Sequence, residues 1–232
     1  MSVFRFKQFT IIQEKSALKV GTDAVLLGSM VSPVQEGHIL DVGSGTGVLS
    51  LMMAQRSQKA LIDAIELDQF AAEESLSNFK NSAWSDRLKL HHADFFKWTS
   101  DKEYDLIVSN PPFYLDGLKP EDERSAISKH AAFDFADFFR KCAGFLRPEG
   151  ILWMIYPSNT DKEITRCFEA SGFHLSKKIS VYGKPGRLNR FVVALSKSPC
   201  PFIAEDFLVR DETNAYSNQY KELTSGFHDR EL

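Results

Sequence analysis

The residues Asp41-Val42-Gly43-Ser44-Gly45-Thr46-Gly47 carry the clearest sign of the architecture of this 232-residue chain. They follow the short apolar run His38-Ile39-Leu40 and lead into Val48-Leu49-Ser50-Leu51-Met52-Met53-Ala54, an order typical of strand, glycine turn and helix. Glycines at alternate positions let the backbone turn tightly and approach a ligand without an intervening side chain. The pattern therefore predicts a ligand-binding turn at the carboxyl end of a strand.

Short β-rich runs alternate with helical patterns on both sides of this turn. We expect strands near residues 38–42, 61–66, 88–93, 104–109, 151–156, 174–182 and 191–196. We expect helices near residues 24–31, 48–57, 69–83, 135–145 and 161–171. No helical pattern separates the last two strands, so the final strand is expected to be antiparallel. The predicted fold class is α/β, a Rossmann-like, doubly wound, seven-stranded and mostly parallel sheet.

The two ends of the chain differ from this alternation, which divides the sequence into three segments. Residues 1–36 form an aromatic and basic arm with a helix that Thr22 or Asp23 is expected to cap. Residues 37–198 form the main α/β domain. Residues 199–232 form a polar extension that we expect to be partly flexible, with a short helix near 213–223.

Composition and charge exclude several classes of protein. With 43% hydrophobic and 25% charged residues, the chain has enough apolar side chains for a packed core. Its net charge of −3 does not indicate a protein that coats nucleic acid by bulk charge, although a local basic face is compatible with it. The three cysteines are scattered and predict neither disulfides nor a metal site. With no signal peptide and no apolar run of membrane-span length, a cytoplasmic protein is expected.

Acidic residues at the ends of successive strands complete a predicted cofactor site. Glu66 lies about 20 residues beyond the glycines, where an acid can accept hydrogen bonds from ribose hydroxyls. Asp94 ends the next strand and could accept from an adenine amino group, with Phe95 against the ring. Asp41 is placed to orient the amides of the turn or to stabilise a nearby positive charge. The dinucleotide-binding pattern GxGxxG has a third glycine at the position that Val48 occupies here. The cofactor could therefore be S-adenosylmethionine or a dinucleotide, with S-adenosylmethionine favoured.

A second motif, Asn110-Pro111-Pro112-Phe113, follows the fourth predicted strand, which in a doubly wound sheet lies beside the first. The Asn110 side-chain oxygen and the Pro111 carbonyl can each accept one N–H of a planar amino group. Pro112 restricts Pro111 to extended geometry and so fixes the direction of that carbonyl. Phe113 offers a face for stacking a flat substrate. The motif predicts methyl transfer to a conjugated amino group without specifying which one. The segment that follows, residues 114–132, is long for a structureless connection, which predicts a lid or substrate loop.

The order of these motifs resembles known methyltransferases. Over about residues 19–197 the chain resembles the class I S-adenosylmethionine-dependent methyltransferases, which implies that 37–198 is their catalytic domain. With Phe6-Lys7-Gln8-Phe9, the run Leu18–Gly28 and Lys184-Pro185-Gly186-Arg187, it resembles the bacterial tRNA(Val) adenine-37 N6-methyltransferase family across nearly its whole length. The resemblance implies a methyl transfer from S-adenosylmethionine to the N6 amino group of an anticodon-loop adenine.

That resemblance also implies roles for individual residues. The expected catalytic residues are Asn110, Pro111 and Phe113. The expected cofactor-binding residues are Gly21, Thr22, Asp23, Asp41, Gly43, Ser44, Gly45, Gly47, Glu66, Leu67, Asp94, Phe95 and Asn110. The basic residues expected to contact RNA, together with one histidine, are Arg5, Lys7, Lys19, Lys129, His130, Lys184, Arg187 and Arg190. We expect tRNA as the partner, a monomer, no metal and no membrane attachment.

Two other interpretations stay open on the sequence alone. The chain could methylate another planar amine, namely rRNA guanine N2, DNA adenine N6 or protein glutamine N5. It could instead be a non-catalytic nucleotide- or RNA-binding module. Release-factor glutamine methyltransferases usually have Tyr after Asn-Pro-Pro and a helical N-terminal domain, and ribosomal guanine methyltransferases typically have a duplicated domain. Here Phe113 follows Asn-Pro-Pro, which discriminates weakly, whereas neither the helical nor the duplicated domain is expected in a chain of this length with about 35 residues before the glycine turn.

Overall fold

The computed structural model of the chain describes residues 2–16, 18–112 and 133–228. A small antiparallel hairpin comprises β1 (Val3–Arg5) and β2 (Thr10–Ile12). The main sheet is made of β3 (His38–Val42), β4 (Leu61–Glu66), β5 (Leu88–His92), β6 (Tyr104–Ser109), β7 (Leu146–Pro157), β8 (His174–Lys184), β9 (Arg187–Ser196) and β10 (Ile203–Leu208). Their order across the sheet is β10-β8-β9-β7-β6-β3-β4-β5.

Helices connect these strands and cover the sheet. They are α1 (Thr22–Met30), α2 (Val48–Arg56), α3 (Gln69–Lys80), α4 (Phe135–Phe145), α5 (Asp161–Ala170) and α6 (Asn218–Thr224). Asp68 caps α3 by accepting a hydrogen bond from Ala71 N–H at 2.8 Å. No helix in the described part of the chain combines the length and the hydropathy that a membrane span requires.

The strand directions confirm the predicted fold class. Strands β3 to β7 are parallel to their neighbours within that group, whereas β9 runs antiparallel to both β7 and β8. The chain leaves β3 towards β4 and β5, then returns to the other side of β3 as β6. This reversal between β3 and β6 opens a crevice at the carboxyl ends of the strands, which is where open α/β sheets bind ligands.

Two apolar cores lie on opposite faces of the sheet. Because side chains alternate along a strand, Ile39 joins one core and the next residue, Leu40, joins the other. Helices α1, α2 and α3 contribute to the first core, and α4 and α5 to the second. The β1–β2 hairpin also packs on the first core, where the Phe6 and Phe9 rings are stacked with centroids 4.4 Å apart.

The C-terminal segment contains more secondary structure than the sequence pattern predicts. Seven strands were expected in the main sheet, and the eighth is β10, which pairs in parallel with β8 at the edge. An ion pair of 2.8 Å between Lys177 Nζ and Glu205 Oε1 joins the two strands. The sequence pattern did not indicate β10 because the segment that contains it is largely polar, as is possible around an edge strand with one side facing solvent.

Several local boundaries differ from those predicted, among them the starts of α1, α6 and β7. The N-cap of α1 is Gly21, which has no side chain to cap the helix, and neither Thr22 nor Asp23 is the cap, since the Asp23 carboxylate accepts from Arg190. Helix α6 begins only after Ser217, since the Asp211 carboxylate accepts from the backbone N–H groups of Thr213 and Ala215 and holds a turn there. Strand β7 starts directly after α4, at Leu146 and not at the predicted residue 151.

Candidate active site

The glycine turn follows β3 as predicted. Gly43, Gly45 and Gly47 have φ values of +72°, +56° and +84°, a region that favours glycine. The backbone N–H groups of Gly43 and Ser44 both donate to the Ile65 carbonyl at 3.0 Å, which fixes the turn to the end of β4. A Cβ added at Gly43 or Gly45 would meet nothing within 4 Å. These two glycines therefore leave an open backbone surface at the carboxyl edge of the sheet.

Gly47 has a different role from the two glycines before it. A Cβ at Gly47 would lie 2.5 Å from Phe79 Cε1 and 2.7 Å from Ser75 Oγ, both on α3. The first turn of α2 therefore packs against α3 at a distance that only glycine permits. This glycine serves helix packing, whereas Gly43 and Gly45 leave room for a ligand.

Glu66 reaches the glycine turn from the end of β4. Its Oε2 accepts a hydrogen bond from Gly45 N–H at 2.7 Å, and its Oε1 accepts from Asp68 N–H at 2.8 Å. Burial raises the pKa of this carboxyl above its ordinary value, against the lowering effect of the backbone N–H groups. Each carboxylate oxygen retains a further lone pair, so Glu66 can still accept hydrogen bonds from a ligand. The neighbouring Leu67 is 57% exposed and flanks the same crevice.

Asp41 is fully buried, and its contacts differ from those predicted. Its Oδ2 accepts from Ser50 N–H at 3.0 Å and from Ser50 Oγ at 2.6 Å, so it orients the first turn of α2 and not the amides of the glycine turn. Its Oδ1 has no hydrogen-bond partner among the described residues, and neither have the buried Ser44 Oγ and Ser75 Oγ near the turn. Unpaired buried polar atoms beside an open glycine turn fit a polar ligand that completes the site.

Burial gives Asp41 a measurable pH signature. Its pKa is raised from 3.8 to about 7, chiefly by desolvation, with Glu66 nearby adding to the effect. Between these values the unfolded chain releases the proton while the folded chain keeps it, so stability falls as pH rises. We expect Asp41→Asn to gain stability relative to the wild type by about 1 kcal/mol per pH unit in this range. Urea unfolding of both proteins between pH 5 and 8 measures this, and a pH-independent difference would contradict it.

Asp94 and Phe95 occupy the expected place after β5, but both have partners within the chain. Asp94 Oδ1 accepts from Phe96 N–H at 2.9 Å, which is a turn-capping contact. Phe95 is only 7% exposed and packs in the second core, with its ring centroid 5.8 Å from that of Phe138. The contacts of these two residues with a cofactor stay predictions.

The Asn110-Pro111 motif lies beside the glycine turn, as the topology predicts. Ser109, the last residue of β6, pairs with Val42, the last residue of β3, and its Oγ donates to the Val42 carbonyl at 2.9 Å. Pro111 is buried and Asn110 is partly exposed. Among the described residues, none forms a hydrogen bond with the Asn110 side chain, which leaves its oxygen available as an acceptor.

Several predicted site residues cannot be placed. Phe113, Lys129 and His130, together with the predicted lid 114–132, lie outside the described residues. Gly21 and Thr22 are exposed at the start of α1, where Asp23 is partly exposed, and the contacts of these three residues with a cofactor stay predictions.

Two of the N-terminal basic residues expected to contact RNA have partners in the chain itself. Lys7 Nζ donates to the Ser225 carbonyl at 2.6 Å. Lys19 Nζ donates to two backbone carbonyls of the preceding loop, including that of Glu14 at 3.2 Å. Arg5 is exposed on β1. Lys7 and Lys19 therefore bind backbone carbonyls of the chain itself, and the contact of Lys7, Lys19 and Arg5 with RNA stays a prediction.

Two buried polar residues of α3 join the site to the N-terminal segment, and the sequence analysis did not single them out. Glu74 accepts from the backbone N–H groups of residues 15–16 at 2.6 and 2.9 Å. Asn78 accepts from Ile12 N–H at 2.9 Å and donates to the Thr46 carbonyl at 2.9 Å. The available signal was their spacing of four residues, which places two polar side chains on one helix face.

The arrangement has the parts for binding a cofactor and a substrate amine side by side. The glycine turn with Glu66 offers amides and a carboxylate at the end of β3 and β4, and Asn110-Pro111 offers two acceptors at the end of β6. Within the described ranges, no group of three or more His, Cys, Asp or Glu side chains could hold a metal ion.

Comparisons with known proteins agree with this site. Residues 14–177 match the family described as methyltransferase small domain. A protein of Phocaeicola vulgatus named tRNA1(Val) (adenine(37)-N6)-methyltransferase is 37% identical over 227 residues, which cover 97% of both chains. A protein of the same name from Flavobacterium johnsoniae is 39% identical over 233 residues, covering 97% of this chain and 99% of the relative.

Solved structures share the fold. A protein of Agrobacterium tumefaciens, described as a predicted O-methyltransferase, superposes with a TM-score of 0.70 at 21% identity, covering 88% of this chain and 96% of the other. At this identity the likeness concerns the fold alone. The full-length relatives and the matched domain together identify the family: the chain belongs to the tRNA1(Val) (adenine(37)-N6)-methyltransferases, within the methyltransferase small domain family.

Proposed function

We propose that this protein transfers a methyl group from S-adenosylmethionine to the N6 amino group of adenine 37 in tRNA1(Val). The observation that carries the proposal is the pairing of Val42 with Ser109, which brings the glycine turn and Asn110-Pro111 to adjacent positions at one sheet edge. The names of full-length relatives at 37% and 39% identity support the substrate.

The residues at the glycine turn fit S-adenosylmethionine. Gly43 and Gly45 leave open backbone, Glu66 can accept from ribose hydroxyls, and the unpaired Asp41 Oδ1 adds a buried acceptor. We assign Ser44, Leu67, Asp94 and Phe95, with Gly21, Thr22 and Asp23, to the same site as further proposals. When bound, the cofactor supplies an electrophilic methyl group on a sulfonium ion.

Asn110 and Pro111 position the amine. The Asn110 side-chain oxygen and the Pro111 carbonyl each accept one N–H of adenine N6, which turns the nitrogen lone pair towards the methyl group. Because the nitrogen becomes acidic as it is alkylated, no dedicated base is required, and orientation and electrostatics supply the rate. Phe113 is proposed to stack on the adenine, as a base taken out of a loop requires.

The tip of the β8–β9 hairpin is the proposed contact with the RNA backbone. Lys184 and Arg187 face each other across the two strands and are exposed. Neither forms an ion pair within the described residues. Like charges directly opposite each other destabilise a hairpin, so their presence favours an anionic partner such as a phosphate.

The test is product identification. The protein is incubated with labelled S-adenosylmethionine and an unmodified tRNA1(Val) transcript, and the digested nucleosides are separated. We expect label in N6-methyladenosine, and none in a matched transcript with guanine in place of adenine 37. Parallel incubations with rRNA, DNA and protein test the other amines. Label found only in one of those pools would overturn the proposal.

Monomeric state and cytoplasmic location stay predictions. Sedimentation tests the first, and cell fractionation tests the second.

A further inference from the structure

An ion pair links the start of α1 to the last antiparallel strand of the sheet. Arg190 Nε, on β9, donates to Asp23 Oδ2 at 2.8 Å, although the two residues are 167 positions apart in sequence. Their side chains are 35% and 34% exposed. Arg190 was expected to contact RNA and Asp23 to bind the cofactor, so this ion pair joins two residues that were expected to bind different ligands.

The pair lies at the same sheet edge as the active site. Arg190 is opposite Pro157, the last residue of β7. Strand β7 is the direct neighbour of β6, which is followed by Asn110. Arg190 Nη1 also donates to the Asn189 carbonyl at 3.0 Å, so the guanidinium is held at two points.

Only one oxygen of the Asp23 carboxylate is used by this pair. Oδ2 accepts from Arg190, whereas Oδ1 accepts no hydrogen bond from the described residues. Because Gly21 caps α1 without a side chain, the orientation of Asp23 depends on Arg190 and not on a helix-capping contact. The pair therefore fixes the carboxylate and leaves one acceptor oxygen for a ligand.

Arg190 differs in this respect from the arginine three positions before it. Arg187 is exposed at the hairpin tip opposite another cation, whereas the charge of Arg190 is balanced by a carboxylate. A neutralised arginine attracts phosphate weakly, while an unpaired one contributes fully to counterion release. The two arginines of one strand are thus expected to act on different ligands.

We propose that Arg190 is a positioning residue of the cofactor site, holding Asp23 so that Oδ1 accepts from the cationic methionine end of S-adenosylmethionine, and that it is not an RNA contact. The proposal rests on the proposed function for the identity of the cofactor. It assigns Arg187, and not Arg190, to the RNA surface.

The first experiment measures S-adenosylmethionine binding by calorimetry in the absence of RNA. We expect Arg190→Gln to weaken the affinity about three- to fivefold, the range of a partly exposed ion pair. Asp23→Asn is expected to weaken it more, and the double variant no further than Asp23→Asn alone, because the arginine acts through the aspartate. Arg190→Lys, which keeps the charge, is expected to restore most of the affinity. Thermal unfolding of each variant confirms that it is folded.

The second experiment measures tRNA binding at several salt concentrations, with Arg187→Gln as the matched control. We expect Arg187→Gln to reduce the slope of log affinity against log salt by about 1, and Arg190→Gln to leave it unchanged. An Arg190→Gln protein with normal cofactor affinity overturns the proposal, and a reduced salt slope would then make Arg190 an RNA contact. If tRNA is not a substrate but the calorimetric results hold, the proposed function fails and this inference stands.

Discussion

Asn110→Ala is expected to lower turnover about 100- to 1,000-fold, the effect of removing one preorganised polar group from a reacting centre. The side chain lies directly after β6 beside the glycine turn, and among the described residues it has no hydrogen-bond partner. Its proposed partner is the substrate amine. Because that contact matters most when the nitrogen lone pair is turned to the methyl group, the loss should appear in kcat and not in cofactor binding.

Single-turnover kinetics and calorimetry separate these two quantities. Asn110 was also expected to contact the cofactor, but its main proposed partner is the substrate amine, so we expect the affinity for S-adenosylmethionine to change by less than about twofold in Asn110→Ala. Asn81→Ala makes the same chemical change at an exposed position at the end of α3 and serves as the control. A large loss of cofactor affinity in Asn110→Ala would instead place this side chain in the cofactor site.

The main sheet was predictable because its strands have local signatures. The strands at 38–42, 61–66 and 104–109 have the observed bounds, each being a short apolar run beside a turn signal. Adjacency followed from topology, since a doubly wound sheet places the first and fourth predicted strands, 38–42 and 104–109, side by side. The contact of Glu66 with Gly45 follows from the same rule, because Glu66 ends β4 and Gly45 lies in the turn that follows the neighbouring parallel strand β3.

Long-range pairing explains what the sequence did not reveal. The Asp23–Arg190 ion pair depends on where β9 returns to the sheet, and no local pattern contains that information. Strand β10 pairs with β8 across a sequence that reads as polar loop. The sequence predicts that Phe95 lies against a ligand, but no local pattern could predict that its ring also packs against Phe138 of α4.

Gly47 and Gly45 of the glycine turn have opposite surroundings, so alanine at the two positions is expected to have different effects. Gly47→Ala is expected to destabilise the protein by about 2–5 kcal/mol, combining the left-handed backbone with overpacking against α3. Its Cβ would lie 2.5 Å from Phe79 and 2.7 Å from Ser75. For a chain of this size, thermal unfolding should shift down by about 5–15 °C.

Gly45→Ala is expected to have the reverse profile. Its φ of +56° adds strain, but a Cβ there meets nothing within 4 Å, so the loss of stability should stay at about 1–2 kcal/mol. The methyl group would instead occupy the open surface proposed for S-adenosylmethionine, and we expect at least about tenfold weaker binding by calorimetry, the effect of about 1.4 kcal/mol.

Gly172→Ala separates backbone strain from loss of the ligand surface. Gly172 has a φ of +81° with nothing within 4 Å, and it follows α5 away from the glycine turn. It should therefore reproduce the small destabilisation of Gly45→Ala while keeping normal cofactor affinity. Equal cofactor affinities in Gly45→Ala and Gly172→Ala would mean that the open backbone at Gly45 is not the cofactor surface. Gly43 and Gly45 would then be required for the turn alone, and the cofactor would bind closer to the side chains of Glu66 and Asp23.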